Sequence, residues 1–209
     1  MLHYTGMRSG EEAVARLCDP AAEVSSHYVV HEDGRIVQLV AESRRAWHAG
    51  VSAWRGVQNL NDVSIGIEIV NPGHAHGLRP FPDRQMAAVV ELARDLMARH
   101  AIAPAWIVAH SDVAPERKLD PGERFDWRRL ALADLGRIPE PAPPCTPDLA
   151  AAARLLTAVG YALPRADRPS PRVIAAFQRR FRPGRVDGRL DASTMGLLWA
   201  AAALLAAPT

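Results

Sequence analysis

Eight histidines, His3, His27, His31, His48, His74, His76, His100 and His110, are the side chains best suited to chemistry near neutral pH, as proton carriers or metal ligands. A lone histidine is more often a surface or satisfied core residue than a ligand, so its company decides. His110 has the densest company. It follows the apolar run Trp106-Ile107-Val108-Ala109 and opens Ser111-Asp112-Val113-Ala114-Pro115-Glu116-Arg117-Lys118-Leu119-Asp120-Pro121-Gly122. Loops leaving strand ends commonly carry functional groups, and Pro115 and Pro121 stiffen this one. On composition alone a solvated charged loop is the commoner reading. Glu68 is a second candidate, flanked by small residues, although an isolated acidic residue there reads as an ordinary solvent-facing strand position. His74 and His76 share a glycine-rich loop, and His31 and His100 stand alone; none of the four marks a designed site. Cys18 and Cys145 form no C-x-x-C pair, which removes a local thiolate zinc motif, and a disulfide between them is left open. An H-E-x-x-H helix, the mark of many zinc peptidases, does not occur.

These residues need a scaffold. Ser26 to His31 and Ile36 to Val40, joined through Asp33-Gly34, predict a hairpin. Val63-Ser64-Ile65-Gly66-Ile67-Glu68-Ile69 alternates strictly, placing the four aliphatic residues on one strand face and Ser64, Gly66 and Glu68 on the other. Asp83 to His100 has helical spacing, with Met86, Val89, Val90, Ala93, Leu96 and Met97 in one stripe. Trp106 to Ala109 reads as a short buried strand that delivers His110 to its end. The order implies an α/β fold with a central mixed sheet flanked by helices.

Composition shifts at Ile138 to Pro147, where five of ten residues are proline, as in a semi-rigid spacer. We read 1–137 as one domain, 138–147 as a linker and 148–209 as a small three-helix domain. Asp148 to Val159, stopped near Gly160, is its first helix. Ser170-Pro171 offers an N-cap and a first-turn proline for the second, through Phe181, and Asp191 caps a third running to about Leu205. The densest basic run, Gln178-Arg179-Arg180-Phe181-Arg182, reads as a solvated helix end. A net charge of +2 without a basic stripe argues against nucleic acid. The longest apolar run, Leu197 to Ala207, is too short for a membrane span.

Several motifs occur together in one order: His3-Tyr4-Thr5, Ser26-His27-Tyr28, Ala46-Trp47-His48-Ala49-Gly50-Val51-Ser52, Asn61-Asp62-Val63-Ser64-Ile65-Gly66-Ile67-Glu68, and the segment from His110 to Gly122. This set resembles the zinc-dependent N-acetylmuramoyl-L-alanine amidases, whose fold is shared with peptidoglycan-recognition proteins. The resemblance covers about residues 1–135. It implies that His3, His110 and Asp120 hold one Zn2+, leaving a fourth position for water. Glu68 is then the general base, and Lys118 the cation that stabilises the tetrahedral oxyanion. His27, Trp47, His48 and Asn61 fall near the implied substrate cleft. His27 and His48 serve equally well as backbone-orienting groups, and the interior is the commoner place for Trp47.

Val173-Ile174-Ala175-Ala176-Phe177-Gln178 and Asp187-Gly188-Arg189-Leu190-Asp191-Ala192-Ser193-Thr194 resemble small helical peptidoglycan-binding domains, which implies a tether to polymeric substrate. The implied activity is hydrolysis of the amide between N-acetylmuramic acid and L-alanine, in intact peptidoglycan or in anhydro-muropeptides, by a monomer. A recognition module that has lost its metal would lack a ligand or the base, and all are present. Family members carry a full strand before the first zinc histidine, whereas here that histidine is the third residue. Without a signal peptide the chain as given reads as cytoplasmic; an upstream extension would imply the periplasm or cell envelope.

Overall fold

The computed structural model describes residues 1–205, so the last four positions of the predicted 148–209 segment lie outside the described residues. Its centre is a four-stranded mixed sheet in the order β1-β6-β2-β3: β1 (Leu2–Tyr4) parallel to β6 (Ile67–Ile69), β6 parallel to β2 (Tyr28–Val30), and β2 antiparallel to β3 (Ile36–Gln38). The hairpin through Asp33-Gly34 forms as predicted, with Gly34 at φ 91. One sheet face presents Leu2, Tyr28, Val30, Ile67 and Ile69 to α2 (Asp83–His100), which meets them with Met86, Val89, Ala93 and Leu96 in one apolar cluster. Strand alternation sends the intervening residues the other way. His3, Glu68 and Val29 therefore share the second face, in register across three adjacent strands.

Two strand expectations shorten. The alternating run becomes strand only at Ile67; Leu60–Asp62 forms a single 3-10 turn, and Val63 is 66% exposed. Trp106 to Ala109 is not a strand. Pro104–Trp106 is a 3-10 turn, and only Ala109 makes a parallel bridge, to Leu2, while the Leu2 amide donates to the Val108 carbonyl at 2.8 Å. Proline at the head of that run withholds a ladder donor and favours the turn. The bridge still delivers His110, which opens the short helix α3 (His110–Val113). It also pins β1 from the side opposite β6. Beyond it, the Met1 amino group donates to the Ile65 carbonyl at 2.7 Å.

Further elements are α1 (Gly10–Cys18), a two-stranded ribbon of β4 (Ala53–Trp54) and β5 (Val57–Gln58), and α4 (Trp127–Leu132). Helix α1 has no place in the sequence reading, although Ser9 followed by Glu12 is a capping-box pattern and the Ser9 hydroxyl does accept from the Glu12 amide. The C-terminal helices are α5 (Leu149–Val159), α6 (Pro171–Phe181) and α7 (Ala192–Leu205). Ser170 with Pro171 on α6 and Asp191, accepting from the Thr194 amide at 2.8 Å, are the caps expected, while Asp148, read from the sequence as the first residue of its helix, caps α5 instead. Both cysteines are free thiols. Among the described residues no helix is long and apolar enough to cross a membrane.

The C-terminal helices share an apolar cluster with the N-terminal part. Trp54, Val108, Val113 and Ala114 pack with Leu156, Tyr161, Phe177 and Leu198 in one contiguous core. The proline-rich segment is laid down on α7, where the Cys145 amide donates to the Ala192 carbonyl at 2.9 Å. Gly196 makes room for it, since a Cβ there would stand 2.1 Å from the Pro143 carbonyl oxygen. Helix propensity favours alanine over glycine at a helix interior by about 1 kcal/mol. The carbonyl is backbone and cannot swing aside, so the clash outweighs propensity. Gly196→Ala is expected to lower the melting temperature in calorimetry, where an unobstructed helical glycine would raise it.

Candidate functional site

Three polar side chains converge where β1, α3 and the loop after it meet. His3 Nδ1 lies 2.9 Å from His110 Nδ1, and each lies 3.0 Å from Asp120 Oδ2. All three are buried, and they form the one group among the described residues with metal-binding geometry. The loop is closed at its base by the Ser111 amide, which donates to the Asp120 carbonyl at 2.9 Å.

The outer partners decide what these atoms can hold. His110 Nε2 sits 3.0 Å from the Ala49 carbonyl and must donate to it, which leaves Nδ1 as a bare lone pair. The Ser64 hydroxyl donates to the Leu60 carbonyl at 2.5 Å, so it accepts from His48 Nε2 at 3.4 Å. His48 Nδ1 then accepts from His3 Nε2 at 3.0 Å, and His3 Nδ1 is also a lone pair. Burial lowers the His3 imidazole to about 3, with His110 adding to the effect, so His3 is neutral at working pH. Two lone pairs and a carboxylate facing one another at this range repel unless a cation lies between them. The donor set therefore fits a metal ion with two imidazoles and one carboxylate, each imidazole oriented by its far nitrogen.

Glu68 stands beside this set because it is the register partner of His3 on the adjacent strand. Its Oε2 is buried without a hydrogen-bond partner. Burial raises the carboxyl well above its usual range; Asp120 pushes the same way and Lys118 pulls back. A carboxylate shifted toward neutrality beside a metal site is suited to accept and return a proton. Glu68 and Lys118 line a cleft of about 270 Å³ together with the three convergent residues, Tyr4 and Trp47. Helix α1 forms part of its wall through Arg16 and Leu17.

The remaining candidates divide. Trp47 is not core: its amide is held by the Ser25 hydroxyl at 2.9 Å, while the residue is 51% exposed at the cleft rim. His48 lines the cleft but spends both nitrogens on His3 and Ser64, and burial keeps it well below its ordinary pKa. It packs under Gly66, where a Cβ would stand 2.5 Å from the His48 ring. His27 accepts from the Gly66 amide and donates to the Arg44 carbonyl, both at 3.0 Å, so no ring nitrogen is left for a ligand. The Asn61 amide oxygen accepts from the His48 and Ala49 amides at 3.0 and 2.7 Å, fixing the loop that orients His110. Arg117 was not singled out from the sequence, yet it grips the same loop through the Ala49 and Val51 carbonyls. Gln178, Asp187, Asp191 and Thr194 of the C-terminal motif hydrogen-bond within it, Gln178 accepting from the Asp187 and Gly188 amides at 3.0 and 2.8 Å.

Residues 1–123 match the family profile described as N-acetylmuramoyl-L-alanine amidase. The N-acetylmuramoyl-L-alanine amidase AmiD of Escherichia coli is 41% identical over 224 residues, spanning 94% of this chain and 79% of that protein. Its solved complex with anhydro-N-acetylmuramic acid-L-Ala-D-gamma-Glu-L-Lys matches at a TM-score of 0.85 and 40% identity, covering 96% of this chain and 86% of that one. AMPDH3 of Pseudomonas aeruginosa, solved with an anhydromuramic pentapeptide, matches at 0.82 with 33% identity, covering 95% and 88%. The 1,6-anhydro-N-acetylmuramyl-L-alanine amidase AmpD of Enterobacter cloacae is 42% identical over 107 residues, 51% of this chain and 55% of its own length. The convergent His3, His110 and Asp120, with Glu68 and Lys118, all fall inside the matched residues, and the chain belongs to the N-acetylmuramoyl-L-alanine amidase family.

Proposed function

We propose that this chain is a zinc hydrolase that cleaves the amide between the lactyl group of N-acetylmuramic acid and the L-alanine of the stem peptide. The observation that carries the reading is the pairing of two imidazole lone pairs and a carboxylate, all within 3.0 Å, with Glu68, whose Oε2 is buried without a hydrogen-bond partner, one strand away. His3, His110 and Asp120 would hold one Zn2+. Bound there, the ion would supply a Lewis acid that polarises the scissile carbonyl and acidifies water. Glu68 takes a proton from the attacking water and delivers it to the amine as the carbon–nitrogen bond breaks. Lys118, in the same cleft wall, offers a positive charge to the oxygen on which negative charge develops. The products are a free lactyl carboxylate and a stem peptide with a free amino terminus.

Both AmiD and AMPDH3 were solved with anhydromuramic ligands, which supports anhydro-muropeptides as substrates here. Attachment of α5–α7 to the wall polymer rests on the motif resemblance, and action as a monomer on the resemblance to the family.

His110→Ala is expected to lose stoichiometric zinc and activity together, read by metal analysis and turnover of a small muropeptide; a variant that keeps a full equivalent of zinc would remove His110 from the ligand set. Glu68→Gln is expected to retain zinc while kcat falls by about 10²- to 10⁴-fold. Near-normal turnover would strip Glu68 of its role. Mass spectrometry of products from sacculi and from anhydro-muropeptides, with and without chelator, tests the substrate. Release of intact stem peptides that disappears with chelator is expected, and cleavage within the stem would overturn the bond assignment.

A further inference from the structure

The segment from Ser111 to Glu123 holds four acidic residues, Asp112, Glu116, Asp120 and Glu123. Asp120 faces the two histidines. Each of the other three is met by α6 or its cap. Arg180 donates to Asp112 Oδ2 at 2.6 Å in a pair buried on both sides. The Ser170 hydroxyl, at the start of α6, donates to the Glu116 carboxylate, and Arg172 donates to the Glu116 carbonyl at 2.6 Å. Arg179 pairs with Glu123 at 3.6 Å. Tyr161, from the turn after α5, adds a hydrogen bond to Asp112 Oδ1 at 2.7 Å.

Asp112 is the sensitive point. Its Oδ2 also accepts from the Ala109 amide at 2.9 Å and so fixes the backbone on which α3 begins, at His110. Arg180 reinforces the approach by donating to the Ile107 carbonyl at 3.1 Å, its guanidinium stacked 4.3 Å from the Trp127 ring. A buried carboxylate deprived of its cation is left uncompensated and must reorient, which loosens its hold on the Ala109 amide.

Building on the metal reading above, we infer that Arg180 and Tyr161 are positioning residues for the metal centre. Through Asp112 they fix the direction of His110 Nδ1, while Arg179 pairs with Glu123 and the Ser170 cap holds the Glu116 carboxylate, so that Asp120 is the carboxylate of this segment that faces the two histidines. The C-terminal helices are thereby part of the metal-binding machinery, acting through the loop without touching the ion.

The test uses the full chain with Tyr161→Phe, which removes one hydroxyl and keeps the ring, together with Arg180→Met and Arg180→Lys. Zinc affinity is measured by chelator competition, the geometry of the centre by the visible absorption of the cobalt-substituted protein, and the melting temperature on metal-free protein. Tyr161→Phe and Arg180→Met are expected to weaken zinc by about tenfold or more, in the range typical of outer partners of metal ligands, and to alter the cobalt spectrum. Arg180→Lys should recover part of the loss. A lower metal-free melting temperature with wild-type zinc affinity and cobalt spectrum would reduce the contact to ordinary packing and overturn the inference. Should Arg180→Met fail to fold, Tyr161→Phe decides alone. Failure of the wild-type chain to bind zinc would instead remove the metal reading, and the positioning role with it.

Discussion

Two imidazole lone pairs and a carboxylate oxygen drawn within 3.0 Å of one another repel in the absence of a cation, and the surrounding structure is arranged to hold them there. Each donor is oriented from behind. His3 is turned by His48, His48 by Ser64, and His110 by the Ala49 carbonyl, which Asn61 and Arg117 in turn hold in place. The loop between Trp47 and Ser52 thus acts as a template for two of the three donors. For the proposed metal site its worth lies in keeping the ring nitrogens pointed the right way beforehand, so that little reorganisation would accompany binding.

The sheet provides the second part of the arrangement. A parallel pairing in which His3 stands opposite Glu68 puts the proposed ligand and the proposed base on one face with the spacing of neighbouring strands. The same alternation sends Leu2, Ile67 and Ile69 into the apolar layer under α2. A slip of one residue in either strand would bury the chemistry and expose the core. The geometry of the proposed site and the stability of the fold are therefore enforced by one register.

Features decided by local chemistry could be read from the chain. Asp148, Ser170-Pro171 and Gly160 mark helix ends because caps act over three or four residues, and α2 declares itself through its stripe. His110, Asp120 and Glu68 were legible as a set only through the order of the motifs, since singly each resembles a surface residue. Features decided at a distance were not legible. Arg179 and Arg180 look like a solvated helix end, yet Arg180 is buried against a carboxylate 68 residues earlier. Trp47 looks like core, and its exposure follows from a backbone held at Ser25, 22 residues away. The run from Trp106 to Ala109 is apolar enough for a strand, but it reaches the sheet only at Ala109, where it lies beside Leu2.

The apolar cluster in which Trp54 and Val113 meet Leu156, Tyr161 and Phe177 has a consequence for how such a chain can be recombined. Modules joined by flexible linkers can be exchanged among proteins because each keeps its own sealed interior. Here the boundary between N-terminal and C-terminal parts runs through a shared interior, with Trp54 packed edge-on against Tyr161 at a centroid distance of 5.1 Å. Grafting α5–α7 onto another enzyme, or fusing residues 1–137 to another appendage, would open a greasy seam on both pieces. A change of side-chain volume on one side of this seam is met directly by the packing of the other.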